Sequence, residues 1–163
     1  MVSICAQYYL GGISAREIQK TKTFRDIIRK DSLLTQQNKM YLRGEYEKQL
    51  LHIVNHVIGR TSWDRSNVWA ISPNLTYHFC NETLRPTFYH KKWEYHTCQK
   101  HTIFLSQAHY PLKGLQQVIK ALPIILQHYP DTQIYVAGNN FISTSLLRKN
   151  GFANYIQRLI KAY

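Results

Sequence analysis

At 163 residues the chain is long enough for one ordinary domain with a real core, and 44% hydrophobic residues exclude a disordered polyelectrolyte. The formal charge of +12 favours an anionic partner, which leaves nucleic acid, an acidic membrane surface and a phosphorylated small molecule in play. Three cysteines, Cys5, Cys80 and Cys98, are an odd number and do not suggest a secreted disulfide framework. The opening "MVSICAQYYLGG" lacks a basic region and a long apolar stretch, so no signal peptide is expected. No window approaches the roughly 18 apolar residues of a membrane span. The two matches to the N-glycosylation pattern, at Asn74 and Asn81, then read as chance, and the expected compartment is the reducing cytosol.

In chain order, residues 14–40 are polar and basic, with apolar Ile18, Phe24, Ile27 and Ile28; they read as a helix and a loose connection. "RGEYEKQLLHIVNHV" sets Tyr46, Leu50, Ile53 and Val57 at near-helical spacing after Gly44, with Glu45 and Glu47 suiting a first turn. This predicts a helix to about residue 54, then a short strand "HVIGRT". "SWDRSNVWAIS" reads as a short helix capped by Thr61 or Ser62, and "LTYHFCN" alternates like a strand. Residues 81–101 lack a clean period and read as a linker. "TIFLS" is a compact apolar strand. "GLQQVIKALPIILQHY" places Leu115, Val118, Ile119 and Leu122 on one face, with Pro123 expected to kink or restart the helix. "YPDTQ" is a turn and "QIYVAG" a further buried strand. Strands about thirty residues apart predict one right-handed βαβ crossover. A last helix over 152–162 should bury Tyr155, Ile156, Leu159 and Ile160.

Ligands of open parallel sheets bind at the carboxyl ends of the strands, and the loop 106–111 sits at such an end. Lys113 beside the free N–H groups of the next helix would suit a phosphate, and Gly114 removes a side chain where a backbone must come close. The alternative is a solvated loop lysine and an ordinary turn glycine.

"IFLSQAHYPLKGLQQVIKALPIILQHYPDTQIYVAG" resembles the opening βαβ unit of the nucleotide-sugar domain of glycosyltransferase family 4, which has the GT-B fold. "RGEYEKQL", "HVIGRTSWD", "CNETLRPTFY" and "KKWEYHT", in this order, extend the resemblance over about residues 41–138. It implies an α/β protein with a partial GT-B architecture. Residues 1–80 would be the end of an N-terminal, acceptor-side Rossmann-like domain, 81–101 the interdomain linker, and 102–163 the first βαβ unit of the nucleotide-sugar-binding domain. It implies a retaining transfer of a sugar from a nucleotide diphosphate sugar to a glycan or lipid-linked acceptor. Neither metal nor further cofactor is expected.

By the same resemblance Lys113 matches the lysine of the family's diphosphate-binding basic pair. Gln107 stands where the arginine is usual, so more of the grip would fall on Lys113 and on backbone N–H groups near Ser106 and Gly114. Gly138 matches a glycine that leaves room near the donor. Arg60 and Asp64 would line the first domain's side of the cleft, while Asn81 and Glu82, with a Glu82–Arg85 pair, would form a hinge. For 60–64 the alternative is a capped helix start with Trp63 packed inside. The family's Glu-x7-Glu motif does not occur in the sequence and is expected beyond Tyr163; its first-domain glycine loop is not assigned to Gly11–Gly12. The chain is therefore expected to be a truncated piece with little or no activity alone.

His78-x-Cys80 and His96-x-Cys98 offer four zinc-type ligands in a spacing that matches no common motif, against chance enrichment in a linker. The rival class is a basic nucleic-acid-binding module, supported by the charge and twelve tyrosines. Its basic residues are scattered, however, and no nucleic acid is expected as partner. Peripheral contact with an anionic membrane through the basic region 16–30 fits a transferase acting on a lipid-linked acceptor.

Overall fold

The chain is seen in a computed structural model, which describes residues 2–138, 140–142, 145 and 148–163. Four helices come first: α1 (Val2–Tyr8), α2 (Ala15–Thr21), α3 (Phe24–Ile28) and α4 (Leu33–Ile53). Both short helices α2 and α3 start on reciprocal capping boxes, Ser14 with Glu17 and Thr23 with Asp26, and Ser32 caps α4. These local bonds explain how such short polar segments hold helical turns.

The sequence misplaces the start of α4. The helix begins eleven residues before Gly44 and runs through it. Gly44 is buried because α1 crosses there: a Cβ on it would lie 2.5 Å from the Ser3 Cα. The Ser3 N–H and hydroxyl both donate to Glu47 Oε2 at 2.9 Å, and the Gln37 amide donates to the Ala6 carbonyl. Glu47 thus fastens a neighbouring helix instead of opening its own. The expected apolar stripe stays in solvent, with Tyr46, Leu50 and Ile53 at 71%, 57% and 77% exposure; the buried residues of α4 are Leu33, Gly44 and Leu51.

Strand β1 (His56–Gly59), helix α5 (Ser62–Ile71) and strand β2 (Thr76–Phe79) form one β-α-β unit. The strands are parallel, with His56 opposite Thr76 and Gly59 opposite Phe79. A small core of Leu51, Val68 and Leu75 sits beneath them. Trp63 remains half exposed, not packed inside. Residues 81–101 carry only two single 3-10 turns, Pro86–Phe88 and Tyr95–Thr97, and are exposed almost throughout.

The second unit is β3 (Thr102–Leu105), α6 (Leu115–His128) and β4 (Gln133–Val136), again parallel, with Thr102 opposite Gln133 and Leu105 opposite Val136. The helix-bridged parallel pair expected from the strand spacing is present. Pro123 neither breaks nor restarts α6, which is a single element with that proline inside it. His101, at φ +51°, places its ring 2.6 Å from Asp131 Oδ1 and joins the start of β3 to the turn before β4.

Helix α7 (Gly151–Ala162) ends the chain, capped by Asn150. It buries Phe152, Tyr155 and Ile156, while Leu159 packs at the margin and Ile160, expected inside, is 52% exposed. The larger core joins both ends of the sequence. Tyr9, Ile13, Ile18 and Leu33 meet Ala108, Leu115, Ile119, Phe152, Tyr155 and Ile156. Residues 81–101 run between the two sheets in chain order, but the hydrophobic clusters divide along another line, because α2 lies on α7. Among the described residues no helix is long and apolar enough to cross a membrane.

Candidate functional site

The loop after β3 is anchored before it is functional. Ala108 and Pro111 are buried, so the chain is pinned at two points and the residues between and around them face outward. Ser106 and Gln107 are exposed, with no side-chain hydrogen bond to any described residue. Pro111–Lys113 makes one 3-10 turn that runs into Gly114 at φ +82°. A Cβ there would meet nothing within 4 Å, so glycine is needed for the left-handed backbone and not for space.

Gly114 is also the N-cap of α6 and offers no side-chain cap. The Gln117 N–H turns back onto the Gly114 carbonyl at 2.9 Å, which leaves the N–H groups of Leu115 and Gln116 as the donors at the positive end of the helix dipole. The Lys113 ammonium lies 5.8 Å from the centroid of the Tyr110 ring. Its neighbours line two clefts: His109 and Tyr110 one of about 550 Å³, Leu112 and Gly114 another of about 610 Å³. Lys113 itself lines neither. It stands exposed on the rim, so it reaches a ligand there only by swinging off Tyr110.

The second cleft has a wall that sequence reasoning did not assign. Gly11 and Gly12, at φ +56° and +80°, turn directly against the start of α6. The Gln116 and Gln117 side-chain amides each donate to the Gly11 carbonyl at 2.8 Å, and Gln116 also donates to the Pro111 carbonyl. A Cβ on Gly11 would lie 2.3 Å from that Pro111 oxygen, so the close approach requires glycine. A consecutive glycine pair was the visible signal; its partner lies over a hundred residues away. Gly138, after β4, has φ +113° and open space around it.

At the carboxyl ends of β1 and β2 a cleft of about 470 Å³ brings together Arg60, Asp64, Asn81 and Glu82, with Glu47 and Tyr77 beside them. All four residues expected at the cleft or hinge converge here. Arg60 Nη1 lies 2.8 Å from Glu82 Oε2, so Glu82 bridges to Arg60 across the cleft mouth and not to Arg85. Strand-end geometry explains this: residue 60 follows β1 and residue 82 follows β2. Tyr77 reaches the cleft because Gly59 has no side chain; a Cβ there would lie 2.1 Å from the Tyr77 hydroxyl, which donates to the Thr61 carbonyl at 3.2 Å. Tyr77 and Glu47 were missed because nothing local marks them.

Asp64 lines this cleft and caps α5 at once. Its Oδ2 accepts from the Thr61 hydroxyl at 2.8 Å and from the N–H groups of Thr61 and Arg60 at 3.2 and 3.4 Å. The Thr61 hydroxyl is the largest cause holding this carboxyl below its ordinary 3.8, with the two backbone N–H groups adding to it. A carboxyl lowered in the folded state stabilises fully above its unfolded pKa, and that stability is lost as pH falls through the folded value. Replacing Thr61 by Val should therefore raise the Asp64 pKa in a carbon-detected carboxyl titration. It should also cost about 1 kcal/mol of stability through the lost cap. An unmoved Asp64 titration would show that the hydroxyl contact is not made.

The four zinc-type residues around the linker do not gather. His96 pairs with Glu94 at 3.2 Å, His78 faces His56, and among the described residues no three or more His, Cys, Asp or Glu side chains form a metal-holding group. No protein-family model, no curated protein and no solved structure matches the chain.

Proposed function

We propose that this chain is part of a retaining glycosyltransferase of family 4, with a partial GT-B architecture. In this reading β1, α5 and β2 end an acceptor-side Rossmann-like domain, and β3, α6 and β4 open the domain that holds a nucleotide diphosphate sugar. The observation that carries it is the strand-end loop: a parallel β-α-β unit whose first strand leads through Lys113 and left-handed Gly114 into a helix without a side-chain cap. That arrangement offers amide dipoles and one ammonium to paired phosphates at a sheet's carboxyl edge.

As the glycosidic bond breaks, negative charge grows on the leaving diphosphate. Lys113, the amide of Gln107 and the first N–H groups of α6 would be the donors that meet it. The sugar would pass to a hydroxyl of a glycan or lipid-linked acceptor approaching from the cleft of Arg60, Asp64, Asn81 and Glu82. Exposed faces of both two-stranded sheets support the partial architecture, since parallel sheets are ordinarily covered on both sides. Ile58 is 73% and Phe104 65% exposed, and an apolar groove of about 280 Å³ lies open between α6, β4 and α7. With Ser106, Gln107 and Lys113 all open to solvent, turnover by this polypeptide is expected to be very slow.

Calorimetric titration with uridine and guanosine diphosphates tests the donor grip. Lys113→Ala should weaken binding at least about tenfold, the scale of one charge-assisted contact. Equal affinity in the parent and the variant would remove Lys113 from the site. A radiolabelled nucleotide-sugar time course showing robust turnover by this polypeptide would overturn the partial-enzyme reading.

A further inference from the structure

His56 and His78 stand on neighbouring parallel strands. The register sets His56 opposite Thr76 and Ile58 opposite His78, so the two histidines occupy diagonal positions on one face. Both are exposed. His56 Nδ1 and His78 Nε2 are 3.0 Å apart, with ring centroids at 5.2 Å and planes tilted by 38°. Neither ring has another hydrogen-bond or ion-pair partner among the described residues. The pair lies outside the lining of the Arg60–Glu82 cleft and has no part in the proposed transfer.

We propose that His56 and His78 chelate a divalent transition-metal ion of the zinc or copper(II) class. Imidazole nitrogens bind zinc at about 2.0–2.1 Å, so two ligands of one ion lie about 2.9 Å apart at a right angle and about 3.3 Å apart at the tetrahedral angle. The observed 3.0 Å falls inside that window. The contact shows that the two ring nitrogens reach a separation that two ligands of one ion also adopt, and chelation turns each ring about its side-chain torsions until both lone pairs meet at the ion. The strand register holds the two backbones as diagonal neighbours before the ion arrives, so both imidazoles reach one ion from the same face. The exposed face leaves the remaining positions to water, and borderline imidazole donors favour copper(II) and zinc over magnesium or calcium.

Such an ion would cross-link β1 to β2, whose small core is built on buried Leu51, Val68 and Leu75. Binding to the folded state alone raises stability by mass action. The test uses zinc chloride and the full chain. A one-to-one calorimetric isotherm is expected, with a rise in thermal midpoint. His56→Ala and His78→Ala should each weaken binding at least about tenfold and abolish the rise, since even ligand-supporting residues cost that much. His96→Ala, whose ring pairs with Glu94, should leave both unchanged. His56→Asn and His78→Asn, polar exposed replacements, guard against a folding defect, and circular dichroism verifies each variant. The proposal is overturned if either strand histidine can be replaced in a folded variant with affinity within twofold of the parent, or if zinc fails to bind at all.

Discussion

Phe152→Ala is expected to cost about 3–5 kcal/mol, the usual price of emptying a large buried aromatic site, and to lower the thermal midpoint by roughly 10 °C. The ring is 1% exposed and stacks on Phe141 at 5.8 Å with planes only 6° apart. Its surroundings come from α2, α4, α6 and the loop after β3, so the cavity would have walls on several elements and little freedom to collapse. Phe152→Leu should cost about 1 kcal/mol, because most of the volume is kept. The shared core makes a sharper claim than the size of the loss. Amide protection of residues 14–18 and of residues 115–119 should fall together in the Ala variant. Loss of protection confined to 102–163 would show that the amino-terminal helices do not belong to this core.

Gly44→Ala is expected to destabilise the chain by about 1–3 kcal/mol even though alanine is the better helix former. Helix propensity alone argues for a gain of up to about 1 kcal/mol. The opposing term is steric: the added carbon would lie 2.5 Å from the Ser3 Cα and 2.9 Å from its Cβ. Backbone cannot swing aside as a long side chain can, so α1 must lift from α4. The two bonds from Ser3 to Glu47 stretch with it. Urea titration gives the sign, and hydrogen exchange over residues 2–8 gives the cause. A stabilised variant would mean that α1 does not dock across Gly44.

The same glycine shows where sequence reading loses its grip. A lone glycine before an amphipathic run reads as a helix boundary, since its intrinsic penalty discourages interior positions. Its real cause is the α1 crossing, more than forty residues upstream in the chain, which no local pattern announces. α1 itself, "VSICAQY", has no side-chain cap, no acid in its first turn and no base in its last. It is held by Gln37 and Glu47. Pro123 is the converse case: a local breaker that sits inside a continuous α6, the helix being held by its packing on α7 and by Leu115 and Ile119 in the larger core.

Short strands bounded by turn residues were legible, because alternation and punctuation are local. β1, β2, β3 and β4 fall within the runs read as strands, and Thr61 caps α5 as its sequence suggested. The ends of β1 and β2 bring Arg60, Asp64, Asn81 and Glu82 to one cleft, while Lys113 stands exposed on the rim of its loop. The Gly11–Gly12 wall, Gln116, Tyr77 and Glu47 were not legible. Each meets its neighbours through contacts that span the chain or cross a sheet, and one sequence carries no record of such pairings.

Residues 81–101 form an exposed strap between regions that already hold each other through the core around Phe152. Lys91 and Lys92 lie on that strap in open solvent. A tryptic nick there would break the covalent path but leave the helices of the first forty residues seated on the last helix. The two pieces should co-elute as one particle and, after separation in denaturant, reassociate on mixing.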